Sequence, residues 1–310
     1  MAEVEQVPVK SMQRVTLEAY RDFLSKHKSV AIEDQRVELV TSWKISAYAP
    51  KSYSPEAWTV WSFEDRGDWA THKGNYRGNW SPFIPRNLID HYTHVGDTVC
   101  DPMLGSGTTL VECKLLGRNG IGVDINPNSA MIAMNRLDFE FNPLDEGYKK
   151  TKIDVYIGDA RKLDAIDDDS VDLVATHPPY WGIISYSKAT VPGDLSSLNL
   201  DDFMREMGRV ASECYRILKP NSHCGILIGD TRRHRHYVPI NVGVLGRFLD
   251  AGFVLQEDII KLQHKTKTTR ERWRGDRYDF YKIAHEHLYV FRKLTKDERP
   301  NEYKYSVKWW

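Results

Sequence analysis

No apolar run in the 310-residue sequence approaches the ~20 residues that a bilayer-spanning helix requires, so no membrane partner is expected. The opening residues Met1-Ala2-Glu3-Val4-Glu5 are acidic and lack an apolar stretch. They do not read as a signal peptide, and a cytoplasmic location is expected. Cysteine is scarce. Cys100, Cys113, Cys214 and Cys224 form no Cys-x-x-Cys pair, and two fall on expected strands and two on expected helices. That is the pattern of buried, reduced thiols rather than of a disulfide framework. His234-x-His236 and His285-x-His287 have strand-like spacing, but neither has a third ligand beside it, and no metal is expected. Neither sign of charge is in excess, with 43 Lys and Arg against 43 Asp and Glu. This weighs against tight non-specific binding to nucleic acid but not against an enzyme acting on it, where charge near the site matters. There is no internal repeat and no low-complexity tract, and nothing in the sequence fixes an oligomeric state.

What is present is the composition of an ordinary globular protein, 41% hydrophobic and 28% charged. From Asp97 onward, strand and helix signals alternate. Strands are expected at 98–101, 121–125, 155–158, 171–175, 225–229, 253–260 and 288–292, and helices at 108–116, 128–137, 201–218 and 239–250. Gly117 should stop the first of these helices and Pro220 the third. The third places Phe203, Met207, Val210, Cys214 and Ile217 on one face. Repeated strand–helix units imply an α/β fold with a parallel sheet covered on both faces, and the last two strands, with no helix between them, can pair antiparallel. Ligands of such sheets gather at the carboxyl ends of the strands, near the point where strand order reverses. That rim would bring together Asp101, Asp124, Asp159 and the segment after the fourth strand. Upstream, 15–27 reads as a short amphipathic helix with Leu17, Tyr20 and Leu24 on one face. An aromatic-rich stretch follows, with Trp43, Tyr48, Tyr53, Trp58, Trp61 and Trp69. The expected division is an N-terminal extension at 1–71, a main domain at 72–293 and a tail at 294–310.

Two segments stand out. Val99-Cys100-Asp101-Pro102-Met103-Leu104-Gly105-Ser106-Gly107-Thr108-Thr109-Leu110 runs from a strand through a tight glycine turn into a helix, where backbone amides can approach a small ligand. Leu110 stands where a nicotinamide-binding fingerprint would have its third glycine, which disfavours a dehydrogenase. Thr176-His177-Pro178-Pro179-Tyr180-Trp181 is a rigid step directly after an apolar strand. Together the two segments resemble the cofactor loop and catalytic loop of the S-adenosylmethionine (SAM)-dependent DNA methyltransferases that alkylate N4 of cytosine or N6 of adenine. The first departs from that family's pattern in having Met103 in place of Phe, the second in having His177 in the amine-facing position.

The resemblance implies a Rossmann-like SAM-dependent methyltransferase fold, a mostly parallel seven-stranded sheet with the last strand antiparallel. It implies that SAM is held by Asp101, Pro102, Gly105, Ser106, Gly107, Thr108, Asp124, Ile125, Asp159 and Ala160. Pro82 would join them from a looser match at 72–85. His177, Pro178, Pro179 and Tyr180 would be catalytic. An aromatic exocyclic amine is a poor nucleophile because its lone pair is delocalised, and hydrogen-bond acceptors on its N–H groups can return that pair to nitrogen. A carbonyl held by two prolines is one such acceptor, and neutral His177 would be the second. Activity would then fall on the acid side of an unperturbed histidine pKa, ~6.5. Tyr180 would stack on the base. Since a base inside a duplex cannot reach such a pocket, the expected partner is nucleic acid, double-stranded DNA with a flipped base. Trp181 and two basic clusters would contact it, one with Arg232 and Arg233, the other with Lys265, Lys267, Arg270, Arg272 and Arg274 around Trp273.

The Thr-x-Pro-Pro-Tyr context favours cytosine N4 over adenine N6. C5 chemistry is disfavoured, since no cysteine follows a proline. Two alternatives stay open. One is an RNA or protein amino-group methyltransferase with the same catalytic loop. The other is a SAM-binding pseudo-methyltransferase subunit in which His177 marks a degenerate loop.

Overall fold

The computed structural model describes residues 11–32, 35–143, 148, 150–179, 181, 191–264 and 279–307. A two-residue strand β1 (Gln13–Arg14) leads into helix α1 (Leu17–Lys26), the hairpin β2 (Ser29–Ile32) and β3 (Gln35–Glu38), and strand β4 (Val60–Ser62). Helix α2 (Phe83–Tyr92) precedes the alternating region: β5 (Thr98–Asp101), α3 (Thr108–Leu116), β6 (Asn119–Asp124), α4 (Pro127–Leu137), β7 (Ile153–Ile157), β8 (Val171–Thr176) and α5 (Leu200–Ile217). Then come β9 (Leu218–Ile228), the hairpin β10 (Thr231–Arg233) and β11 (His236–Val238), α6 (Ile240–Asp250), β12 (Val254–Leu262) and β13 (His285–Arg292).

Among the described residues the main sheet has the order β1-β7-β6-β5-β8-β9-β13-β12-β4. The five strands from β7 to β9 are parallel, and β13 runs antiparallel to both of its neighbours. This is the Rossmann-like methyltransferase order, with the reversal between β5 and β8. The sheet has nine strands, not the expected seven. β1 adds antiparallel to β7 at one edge and β4 adds parallel to β12 at the other. Both come from the N-terminal region and cover backbone groups that a bare edge would leave unpaired. At two and three residues they are too short to show an alternating pattern.

β8 is apolar from Leu173 to Ala175, and both of its faces are covered. Leu173 and Ala175 pack with Ile84, Leu88 and Leu110 of α2 and α3. Val171 and Val174 pack with Phe203, Val210 and Phe248 of α5 and α6. The expected face of α5 is fully buried from Phe203 to Ile217, and its first turn is capped by Asn199, whose side chain accepts from Asp202 N. All four cysteines are buried and free. Gly117 closes α3 as expected. Pro220 does not stop α5. The helix already ends at Ile217, and Pro220 lies in β9 ahead of His223, where pairing with β13 begins. A proline there removes no hydrogen bond from that ladder.

The first basic cluster forms the β10–β11 hairpin, turned by two consecutive left-handed residues, His234 and Arg235 (φ 47° and 73°). No helix among the described residues is long and apolar enough to cross a membrane. The interior role of Phe203 is directly testable: Phe203→Ala should lower the unfolding free energy by about 3–5 kcal/mol in urea denaturation, and a loss under about 1 kcal/mol would contradict its place in the core.

Candidate active site at the carboxyl rim of the sheet

The loop after β5 is built by its neighbours. Leu104 N donates to Val123 O of β6 at 2.9 Å, and Gly105 N donates to Asp124 Oδ2 at 2.8 Å. Gly107, at the start of α3, has φ 86°, and a Cβ there would lie 3.0 Å from Ala133 Cβ of α4. Glycine is needed at that point both for the turn and for the helix contact. Asp101 is 2% exposed. It accepts from Thr109 Oγ1 of α3 at 2.5 Å, from Thr176 Oγ1 of β8 at 2.8 Å and from Met103 N at 3.2 Å. Burial pushes its carboxyl up to about 6 against the pull of these three donors. One side chain thus joins the two loops that the sequence singles out.

Between those loops lies a cleft. Asp101, Pro102, Gly105, Ser106, Thr108, Asp124, Ile125, Asp159, Ala160, His177 and Pro179 line it. Gly107, Pro178 and Pro82 do not. Gly107 faces Ala133, Pro178 is buried, and Pro82 is buried at the start of α2. Tyr76, Asn79 and Trp80, shortly before Pro82, do line the cleft, as do Ser129, Asp194 and Leu195. Arg232 and Arg233 stand outside it on the hairpin. Arg233 lies 5.1 Å over the Trp181 ring and Arg232 lies 4.7 Å over Phe280. Trp181 in turn donates from Nε1 to Leu198 O at 2.9 Å. Tyr180, Lys265, Lys267, Arg270, Arg272, Arg274 and Trp273 lie outside the described residues.

Three electrostatic features differ from expectation. Asp159 is clasped by Arg161, whose Nε and Nη2 donate to its carboxylate while Nη1 pairs with Glu206. His177 is buried between the Trp80 ring, stacked at 5.9 Å, and Glu286 Oε1, 4.0 Å from Nε2. Burial, with the charge of Lys261, pulls its pKa down to about 3, so an acid fall in activity near 6.5 does not belong to His177. Lys261, just ahead of the second basic cluster in the sequence, points inward. Its Nζ donates to Glu286 Oε2 at 2.7 Å, and burial brings the lysine down to about 8 and the glutamate up to about 8. Glu286 left one trace in the sequence. It shares strand parity with the buried Leu288 and Val290, where a charge is out of place. Among the described residues no group of three His, Cys, Asp or Glu could hold a metal.

A family model described as DNA methylase, of the N6/N4 methyltransferases, matches residues 11–135 and 171–309. The chain belongs to the N6/N4 DNA methylase family. The type II methyltransferase M.HpaI of Haemophilus parainfluenzae is 54% identical over 50 residues, 16% of this chain and 16% of that protein. A tRNA (guanine(10)-N2)-dimethyltransferase of Methanocaldococcus jannaschii is 35% identical over 104 residues, 33% of this chain and 28% of that protein. The chain therefore aligns with under a third of the length of either relative. A SAM-dependent methyltransferase of Methanosarcina mazei superposes with a TM-score of 0.46 at 16% identity, covering 67% of this chain and 98% of that one.

The cofactor of the family is SAM, and the cleft suits it. Asp124 stands at its wall as an acceptor, Leu104, Ile125 and Trp80 supply apolar surface, and the missing Cβ of Gly105 leaves room 3.3 Å from the Tyr76 ring. Burial pushes the Asp124 carboxyl up to about 7, against hydrogen bonds from Asn126 N and Gly105 N. A carboxyl raised above its ordinary 3.8 makes a contribution to stability that is complete below 3.8 and is lost progressively as pH rises from there to about 7. In cofactor-free protein, the thermal midpoint of the parent should therefore fall relative to that of Asp124→Asn between pH 4 and 8. A constant difference across that range would contradict a desolvated Asp124.

Proposed function

We propose that this protein transfers the methyl group of SAM to an exocyclic amino group of a DNA base, N4 of cytosine in preference to N6 of adenine. The observation that carries the reading is the shared cleft. His177 and Pro179 from the end of β8 and Gly105, Ser106 and Asp124 from the β5 and β6 loops line one cavity, tied together by Asp101. The cofactor supplies an electrophilic methyl group. The chain supplies the rest. The Pro178 carbonyl, held by the following proline, accepts from the target amine. Neutral His177, which cannot repel charge developing on that amine, offers a second acceptor, and Tyr180 stacks on the base. Thr176-x-Pro-Pro-Tyr is the context that favours cytosine. A flipped base brings the duplex to the rim, where Arg232 and Arg233 meet its phosphates and Arg233, over Trp181, links that contact to the catalytic loop. Residues 72–293 would form the catalytic unit, acting in the cytoplasm as the modifying half of a restriction–modification pair.

The similarity to a tRNA guanine-N2 enzyme favours one second reading, an RNA amino group as substrate. Mass spectrometry of nucleosides from the DNA and RNA of cells expressing the protein separates the two. N4-methylcytosine in DNA is expected; a methylated guanosine in RNA with unmodified DNA would overturn the DNA reading. His177→Ala should slow single-turnover methylation at least tenfold, ~1.4 kcal/mol of barrier, with SAM affinity kept. The parent should show no acid limb near 6.5 from this residue. A normal rate in His177→Ala beside a strongly impaired Tyr180→Ala would remove His177 from the mechanism. Arg232→Ala with Arg233→Ala should raise KM for DNA and flatten the salt dependence of its binding, and an unchanged slope would make the hairpin a bystander.

A further inference from the structure

Arg136, in the last turn of α4, is 3% exposed. Its guanidinium makes no ion pair among the described residues. Nη1 donates to Ser106 Oγ at 2.7 Å and Nη2 to Asn75 Oδ1 at 2.9 Å, both uncharged acceptors. A second guanidinium, Arg66, is close enough to act on it electrostatically and itself donates to the Trp80 and Gly67 carbonyls. Burial, reinforced by that neighbour, pulls Arg136 down to about 9. Buried charges in proteins ordinarily meet an opposite charge, because desolvating a charge alone is costly.

The geometry at Ser106 shows where that opposite charge belongs. A guanidinium has donors only, so in its contact with Arg136 the Ser106 oxygen is the acceptor. Asn79 Nδ2 approaches the same oxygen at 3.4 Å as a second donor. With its lone pairs so engaged, the Ser106 hydroxyl has its proton left to give. Ser106 is 1% exposed and lines the cleft. A hydroxyl donor backed by an uncompensated cation is built for an anionic acceptor. SAM carries a sulfonium, an ammonium and one anionic group, the carboxylate of its methionine end.

We propose that Ser106 donates a hydrogen bond to the methionine carboxylate of the cofactor, and that Arg136 is the positioning residue behind it, orienting the hydroxyl and supplying the counter-charge. The proposal rests on the cleft being the cofactor site. It differs from what the Gly-Ser-Gly turn alone implies, because it draws on a residue of α4 some thirty positions downstream, joined to the loop only by the tertiary structure.

The test is calorimetric binding of SAM and of decarboxylated SAM to the full chain without nucleic acid. The parent should bind SAM at least tenfold more tightly than the decarboxylated compound. Ser106→Ala should bring that ratio close to one mainly by weakening SAM, and Arg136→Met should do the same. Arg136→Lys, which keeps the charge, should retain part of the preference. Should Arg136→Met fail to fold, Ser106→Ala, which removes a single hydroxyl, still decides. A parent ratio near one would overturn the proposal, as would a Ser106→Ala protein that loses affinity equally for both compounds. If the parent bound neither compound, the cofactor reading of the cleft would fall as well, and that outcome is distinct from binding both equally.

Discussion

The Asp101 carboxylate accepts hydrogen bonds from the loop that follows it, from the first turn of α3 and from the last residue of β8. β5 and β8 are neighbours in the sheet, and the strand order reverses between them, so their ends diverge into two separate loops. Something must hold those loops at a fixed spacing if a cofactor on one is to meet an acceptor on the other. A buried carboxylate does this well, since an acceptor desolvated at some cost stays only while its donors are all in place. The cleft between the loops, with its glycine turn and the start of the Pro-Pro step, depends on this one side chain.

Around it, the rim is a site whose charges are set by burial. His177 is kept neutral between an indole ring and the Lys261–Glu286 pair, as the acceptor role proposed for it requires. Asp124 is engaged with the backbone of Gly105 and Asn126 and so shapes the cofactor loop as well as facing the cleft. Asp159 is held by Arg161. These carboxylates act on the geometry of the loops at least as much as on any ligand.

The segment before α2 contributes more than its weak motif suggested. Tyr76, Asn79 and Trp80 close one wall of the cleft, while β1 and β4, from the same N-terminal region, cover the two edges of the sheet. The polypeptide ahead of the alternating strands therefore serves both the sheet and the site.

The sequence by itself determined the main alternating strands and helices between β5 and β13, the buried face of α5 and the two loops at the rim. These are local consequences of apolar periodicity and of glycine and proline chemistry, and both leave a mark on contiguous residues. The N6/N4 methylase resemblance also lay in contiguous motifs. Only the tertiary structure decided what meets across the chain. It made edge strands of β1 and β4, which are too short to carry a pattern. It turned a run of arginines into the β10–β11 hairpin through two left-handed residues that are not glycine, so the usual turn signal was absent. It buried Lys261 against Glu286, pulled His177 away from its ordinary pKa and placed Arg136 behind Ser106. Desolvation and the pairing of distant charges depend on everything packed around a group, and no window of sequence contains that surrounding.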